Sequence, residues 1–366
     1  MSTVGQRPVR LGFIGAGWWA TANHMPLLAA RDDVEMAAVC RLGASELAAV
    51  RDRFGFRFAT EDYHELLAQS LDAVVVTSPH TLHYEHAKAS LQRGLHVMVE
   101  KPMTVRGAEA WELAALARER DRRLLVPYGW NYKPFAEEAQ RRLAAGAVGT
   151  IEHVLCHMAS PIRGLLAGTD TGEVAGGAGL FAPDARTWAD PAIAGGGYGH
   201  AQLTHATGLL FFLTPLRAAH VSAQMHAPGT AVELYDALSV RFAGGATGAV
   251  SGAGTVPPHQ GFQLDLRIFG SEGMLLLDVE RERLEVRRHD RDDFTLPIPA
   301  GEGAYTCDIP PQRFIELIRG LSTSNNSPPD VAARSVELLE AAYRSAATGQ
   351  TERVPAAEPV TRQPVG

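Results

Sequence analysis

The chain has 366 residues, more than one ordinary domain holds, so two domains are the natural expectation. With 46% hydrophobic and 20% charged residues, its composition is that of a soluble globular protein. A net charge of −7 without runs of like charge argues against nucleic acid or a membrane surface as partner.

Cys40, Cys156 and Cys307 are odd in number, far apart and without CxxC spacing. A disulfide framework and a zinc site are therefore not expected, and no other metal is. Met1 to Val9 lacks an apolar signal segment, and no window reaches the ~18 uninterrupted apolar residues of a membrane span. The default expectation is a cytoplasmic enzyme.

The first element is the apolar run Leu11 to Ile14, feeding Gly15-x-Gly17-x-x-Ala20 and a helical segment from Ala20 toward Ala30. This is the strand, tight turn and helix of a dinucleotide-binding βαβ unit. Gly15 makes the turn, Gly17 lets the backbone approach a pyrophosphate, and Ala20 allows close helix–strand packing. The phosphates then meet free N–H groups at a helix N-terminus. Trp18 and Trp19 follow the second glycine. One is expected to line the nicotinamide or substrate pocket and the other to pack under the helix.

Val34 to Cys40 reads as the second strand. In a dinucleotide fold, an acidic residue at the tip of this strand bonds the ribose 2′-OH. Asp32 and Asp33 lie at the wrong end, and the tip residue is Arg41. A guanidinium there attracts a 2′-phosphate, which favours NADP(H), with NAD(H) as the alternative. The competing reading is a solvated arginine that contacts nothing. Helices are expected over Ser45–Phe54 and Asp62–Gln69, with Ser45 and Asp62 as N-caps. Leu71 to Val76 is a central parallel strand ending in Thr77-Ser78-Pro79-His80, at the strand end that faces the ligand crevice. A helix over Leu82 to Arg93, closed by Gly94, leads to a strand over His96 to Val99. That strand ends in Glu100-Lys101-Pro102.

These residues carry a family resemblance. Gly15-x-Gly17, Ser78-Pro79-His80-x-x-His83 and Gly94-x-His96-Val97-x-x-Glu100-Lys101-Pro102 resemble the glucose–fructose oxidoreductase / inositol dehydrogenase (Gfo/Idh/MocA) family. The resemblance implies that Lys101 lies beside the nicotinamide and the reacting carbon. It also implies that Glu100 helps seat the nicotinamide ribose, and that the Lys101–Pro102 bond is a candidate cis peptide. Independently, a lysine at a strand tip in a partly desolvated crevice can hold an alkoxide or orient a hydroxyl. Thr77, Ser78, Pro79, His80 and His83 are further candidate cofactor contacts.

Val105 to Arg120 is an amphipathic helix, and Leu124 to Tyr128 is a strand leading into Gly129-Trp130-Asn131-Tyr132. Asn131 is a candidate nicotinamide or substrate contact, or equally a turn-capping asparagine. From Thr150 the pattern changes to strands over Ile151–Met158, Ala218–Met225, Ala231–Phe242, Thr247–Gly254, Phe262–Phe269, Met274–Val279 and Arg283–Arg287. Gly-rich turns join several of them, as expected of an antiparallel meander. The segment Ser160 to Gly199 is read as a long substrate-side loop, with Arg163 and Trp188 as candidate contacts.

This loop runs into Gly195-Gly196-Gly197-Tyr198-Gly199-His200-Ala201-Gln202-Leu203-Thr204-His205. The stretch resembles the family's second motif, in which an aspartate and a histidine stand four apart on one helix face. His205 matches the histidine, whereas Ala201 replaces the aspartate. His205 suits proton transfer. Gln202 is placed to orient it, and His200 is a candidate at the helix start. Helices follow over Gln312–Arg319 and Val331–Ala347.

The fold expected is an α/β Rossmann nucleotide-binding domain over 1–128, plus an α+β domain with a largely antiparallel open sheet over 129–366. The C-terminal helices, 312–348, are expected to pack back toward the first domain. The resemblance implies a homo-oligomer, dimer or tetramer, formed through the open sheet. It implies hydride transfer between nicotinamide C4 and a secondary alcohol or ketone of a sugar, cyclitol or related polyol. Lys101 would polarise the oxygen and His205 would act as acid or base. The alternatives are an NAD-dependent glycosidase acting by transient oxidation and a non-catalytic dinucleotide-binding sensor.

Overall fold

The computed structural model describes residues 7–169 and 179–355. Strands β1 (Val9–Ile14), β2 (Val34–Cys40), β3 (Phe58–Thr60), β4 (Ala73–Val76), β5 (His96–Val99) and β6 (Leu124–Leu125) form one sheet in the order β3-β2-β1-β4-β5-β6. Every pairing in it is parallel. Helices cover both faces, so the central strands are continuous apolar runs, and all four residues of β4 are buried. Strand order reverses between β1 and β4, which opens a crevice beyond their carboxyl ends.

Local details differ from the sequence reading. The helix after β1 opens with a wide i→i+5 turn, Ala20–His24, before an α-helical turn, Met25–Ala29. Pro26 lacks an N–H and cannot continue the i→i−4 ladder across this point. Gly43, not Ser45, precedes the helix Ala44–Phe54, and the Ser45 hydroxyl bonds Glu46 instead. Asp62 caps its helix by accepting the His64 N–H.

The second sheet has nine strands. These are β7 (Ile151–Ala159), β8 (Ala218–His226), β9 (Tyr235–Phe242), β10 (Thr247–Ala253), β11 (Gln263–Gly270), β12 (Gly273–Asp278), β13 (Arg283–Arg288), β14 (Phe294–Pro297) and β15 (Glu352–Arg353). The order is β14-β13-β12-β11-β7-β10-β9-β8-β15, so it is not a simple meander. Two antiparallel runs, β8 to β10 and β11 to β14, leave two edges, and β7 fills the gap between them. It pairs antiparallel with β11 and parallel with β10, which removes both edges. β14 and β15 are too short to show a periodic pattern in the sequence. The segment read as a loop over Ser160 to Gly199 holds three short helices, Arg163–Ala167, Arg186–Ala189 and Pro191–Ala194, and partly lies outside the described residues.

Burial alternates along β9 and β10. Leu238, Val240 and Phe242 point at the helices Thr204–Leu213 and Pro329–Thr348, while Ala237, Ser239 and Arg241 are exposed on the uncovered face. Phe314 and Ile315, from the helix Ile309–Arg319, join the core beneath β1. Ala332, Ala333 and Val336, from Pro329–Thr348, join the core on the other face of the first sheet. Glu337 ties these parts together. Buried, it accepts from the Trp111 indole at 2.8 Å and from two Arg217 nitrogens at 2.7 Å each. Among the described residues, no helix is long and apolar enough to cross a membrane, and all three cysteines are free and buried.

Glu337→Ala strands the Arg217 guanidinium and the Trp111 N–H. Because Arg217 keeps some contact with water, the expected loss is about 2–3 kcal/mol, below the full penalty for a broken buried pair. Urea unfolding of the two proteins measures it.

Candidate functional site

The dinucleotide turn is built as its residue types require. Gly15 has φ +88°, and a Cβ there would lie 2.5 Å from the Ser78 nitrogen. Only glycine lets the β1 and β4 turns approach this closely. The contact is locked by the Thr77 hydroxyl, which donates to the Gly15 carbonyl at 2.5 Å. Gly17 differs: a Cβ there would meet no protein atom within 4 Å. Its surroundings are open, as a backbone that must meet a ligand needs. Arg41, at the tip of β2, donates to the Ala16 carbonyl at 2.8 Å and lies 4.3 Å from the Phe181 ring centroid. The Leu180 N–H bonds the Thr21 hydroxyl, so the segment 179–181 rests on the same turn.

The two tryptophans divide their roles. Trp18 is buried, with Gly179 close against it. Trp19 is half-buried and donates its indole N–H to Glu100 Oε1 at 2.9 Å. The same oxygen lies 2.6 Å from His24 Nε2, and Glu100 Oε2 accepts the Lys101 N–H at 2.9 Å. Burial pushes the Glu100 pKa up, but the His24 hydrogen bond and charge, with the Lys101 charge, outweigh it and hold the carboxyl below its ordinary value. A carboxylate thus sits beside the turn at the end of β5.

Lys101 is buried at that strand end, before a cis Lys101–Pro102 peptide. Its ammonium donates to the Ala201 carbonyl at 2.8 Å and lies 5.7 Å from the Trp188 ring centroid. Burial lowers its pKa to about 8, against the opposing pull of Glu100 and Cys307. Ala201, where the resemblance leads one to expect an aspartate, therefore contributes a backbone acceptor. It belongs to a second wide turn, Gly199–Leu203, which opens the helix Thr204–Leu213.

His205 follows that turn. It is buried among the rings of Tyr128, Trp130 and Tyr305, at 6.3, 5.7 and 5.0 Å between centroids. Its Nδ1 has no hydrogen-bond partner. Burial first, and then the Lys101 charge, hold its pKa well below the ordinary imidazole value, so the ring is neutral. Tyr305 stands edge-on to both Trp130 and His205. It can do so because Gly129 is a glycine: a Cβ there would fall 2.0 Å from the Thr306 carbonyl oxygen. Tyr305, Cys307 and His24 escape the sequence reading because they lie in a turn-like stretch, a helix lead-in and a helix face without a motif.

The other candidates divide. His80 bonds the Ala194 carbonyl at 3.0 Å and stands edge-on to Trp188. Burial and the charges of His83, Lys101 and His200 keep its pKa well below the ordinary value, which places it near those groups. His83 faces two carbonyls, Pro102 at 2.8 Å and Ser78 at 2.7 Å, and so braces the ends of β4 and β5 against each other. The Ser78 hydroxyl is taken by His86 at 2.9 Å, and Pro79 begins the short turn His80–Leu82. Asn131 is fully buried and donates to the Asn326 carbonyl at 3.1 Å, a junction contact between chain segments. Gln202 is half-buried, its carbonyl accepting the Thr204 N–H, and His200 is buried against the Tyr343 ring with both ring nitrogens unpartnered. Arg163 is exposed and, among the described residues, its side chain reaches the Pro228 carbonyl at 3.4 Å and no member of this group. Among the described residues, no cluster of His, Cys, Asp or Glu could hold a metal.

Gly17→Ala should leave the melting temperature in place and weaken dinucleotide binding about tenfold, ~1.4 kcal/mol. Gly15→Ala should lower the melting temperature itself. Thermal unfolding and a fluorescence titration with NADH and NADPH separate the two effects.

Comparison with known proteins identifies the family. A family model described as "Oxidoreductase family, NAD-binding Rossmann fold" matches residues 9–128, and "GFO/IDH/MocA C-terminal domain" matches 136–276. D-glucoside 3-dehydrogenase of Escherichia coli K12 is 31% identical over 151 residues, 41% of this chain and 43% of that protein. D-xylose 1-dehydrogenase [NADP(+)] of Haloarcula marismortui is 28% identical over 183 residues, 48% of this chain and 51% of that protein. The matched stretches thus span about half the length of these curated relatives. The crystal structure of GenD2 from gentamicin A biosynthesis, in complex with NAD, superposes with a TM-score of 0.74 at 25% identity, covering 96% of this chain and 97% of that one. A nicotinamide-dinucleotide Rossmann domain joined to a largely antiparallel second domain, matched by both domain models, makes this chain a member of the Gfo/Idh/MocA family.

Proposed function

We propose that the protein is an NAD(P)-dependent oxidoreductase that interconverts a secondary alcohol and a ketone on a sugar, cyclitol or related polyol. The observation that carries this reading is the burial of Lys101, whose ammonium bonds the Ala201 carbonyl four residues before the buried, neutral His205, beside Glu100 and the dinucleotide turn. The sugar dehydrogenases among its relatives support the substrate class.

The residues present fit a nicotinamide dinucleotide. Gly17 leaves open space at the turn, and the Glu100 carboxylate stands at the crevice end of β5. When bound, the cofactor supplies the hydride acceptor or donor at its C4. The protein supplies position and proton traffic. Lys101 spends one ammonium N–H on Ala201 and keeps two, which can bond the substrate oxygen and stabilise charge as an alkoxide develops. His205, neutral and with an unpartnered buried Nδ1, can accept the hydroxyl proton. The aromatic rings around it exclude water from that step. Arg41, fixed against the dinucleotide turn, places a cation where a 2′-phosphate would bind, and we assign NADP(H) as the preferred cofactor on that ground.

The Lys101 pKa of about 8 favours a second assignment, in which the neutral amine itself takes the proton. The two differ in sign. If the ammonium polarises the oxygen, kcat/KM for alcohol oxidation falls as pH rises through about 8 and the ammonium is lost. Under the second assignment it rises through the same pH. We expect the fall, and Lys101→Arg, charged throughout, should remove it. The substrates to assay are a panel of hexoses, pentoses, inositols and glycosides, with both cofactors. Tight cofactor binding without turnover on that panel would instead indicate a non-catalytic dinucleotide sensor.

Arg41→Asp should shift cofactor preference toward NADH by about tenfold or more, because a carboxylate repels a 2′-phosphate and accepts from a 2′-OH. An unchanged ratio of kcat/KM for the two cofactors would rule out this role.

A further inference from the structure

The helix that carries His205 has an unusual start. The N–H groups of Gly197, Tyr198 and Gly199 are successive donors at its N-terminal approach, and all three end on one residue. Gly197 donates to Glu233 Oε2 at 2.8 Å, Tyr198 to the Glu233 carbonyl at 3.0 Å, and Gly199 to Glu233 Oε1 at 2.9 Å. The Tyr343 hydroxyl, from the helix Pro329–Thr348, also donates to Oε1 at 2.7 Å. Glu233 is buried, in the segment just before β9.

This grip explains the glycines. A Cβ on Gly197 would lie 2.2 Å from the Glu233 carbonyl oxygen, and Cβ atoms on Gly196 and Gly199 would lie 2.3 and 2.6 Å from the Tyr343 hydroxyl. The glycine-rich run is therefore the imprint of Glu233 and Tyr343 on the backbone. A carboxylate at this place satisfies donors that a helix start otherwise leaves orphaned, and it opposes the positive end of the helix dipole. Asp236 lies near it, buried, with both carboxyl oxygens unpartnered. Burial, and then Glu233, push the Asp236 pKa well above the ordinary value. Burial raises the Glu233 pKa too, but hydrogen bonds from the Tyr343 hydroxyl and the Gly199 and Gly197 N–H groups oppose that rise, whereas Asp236 has no such donors, so Glu233 is the more readily ionised of the two.

Four residues beyond Gly197 is Ala201, whose carbonyl takes the Lys101 ammonium. Eight residues beyond is His205. We propose that Glu233 is a positioning residue for the reaction. By clamping Gly197–Gly199 it sets the wide turn that holds the Ala201 carbonyl on Lys101, and thereby fixes the ammonium that meets the substrate oxygen. The proposal rests on the reading of Lys101 as a reacting group. Glu233 touches neither substrate nor cofactor in this scheme.

The chain has three lysines, Lys88, Lys101 and Lys133, which makes a direct test practical. In full-length protein labelled with 13C at lysine Cε, the Lys101 resonance is identified by its loss in Lys101→Met. In Glu233→Gln, one carboxylate oxygen becomes an NH2 group that faces an N–H or O–H donor. The Lys101 resonance should move while those of Lys88 and Lys133 stay. Turnover of the best sugar should fall about tenfold in kcat, with the dissociation constant for the cofactor changed less than twofold. In a Lys101→Met background, Glu233→Gln should lower kcat less than twofold further. Tyr343→Phe removes one donor and leaves the backbone contacts, so it should move the same resonance by less. It stands in if Glu233→Gln does not fold. An unmoved Lys101 resonance in the folded variant overturns the proposal, as does an equal loss of kcat in the Lys101→Met background. The resonance is read without substrate, so it decides this proposal even if no sugar is turned over.

Discussion

A buried ammonium needs an acceptor and a counter-charge, and the protein supplies them from opposite sides of a domain junction. Glu100, at the end of β5, supplies the opposing charge that raises the Lys101 pKa, and Ala201 gives the acceptor from a helix start in the second domain. Neither domain alone holds both. Closure of the two against each other is thus a condition for a stable Lys101, and the burial it imposes lowers the Lys101 pKa. Much of the surrounding structure can be understood as keeping that arrangement in place. His83 braces the strand ends, Gly129 admits Tyr305 to the wall, and Glu337 holds the covering helices together.

The parts legible in the sequence are those whose chemistry is local. Gly15, Gly17 and the run Leu11–Ile14 mark the turn because strand, turn and helix are contiguous, and Glu100-Lys101-Pro102 stands at a strand end for the same reason. Alternation along β9 and β10 signals a one-sided sheet before any partner strand is known. What could not be read depends on distant segments. The place of β7 is decided by edges formed about ninety residues later. The wide turn at Gly199 is set by Glu233 and Tyr343, which no spacing rule connects to it. The Asn131 NH2 group goes to the Asn326 carbonyl, nearly two hundred positions away, while its Oδ1 is left without a partner.

Histidine gives a sharper case. Six of the fourteen histidines, His24, His80, His83, His86, His200 and His205, are buried in or near this region, so residue type alone does not identify the one that moves protons. What distinguishes them is what each nitrogen touches. His83 has a carbonyl at both ends, His24 a carboxylate and His86 a hydroxyl, and those contacts fix their orientation. His24 Nδ1 and both His200 nitrogens are open as well, so His205 is set apart by the rings of Tyr128, Trp130 and Tyr305 around its open Nδ1 and by the Lys101 charge.

The insertion of β7 between β10 and β11 has a consequence for how the chain is made. As the protein leaves the ribosome, β1 to β6 appear first with the helices between them, yet the two cores on their sheet also take Phe314, Ile315 and Leu317 from 309–319 and Ala332, Ala333 and Val336 from 329–348. β7 likewise waits, with both edges bare, for partners still to be synthesised. Neither core is complete until the helices at 309–319 and 329–348 have emerged. Such long-range closure slows folding and prolongs the exposure of open strand edges. During synthesis, the long single-sided sheet and the incomplete nucleotide domain are therefore where a chaperone would have most to shield.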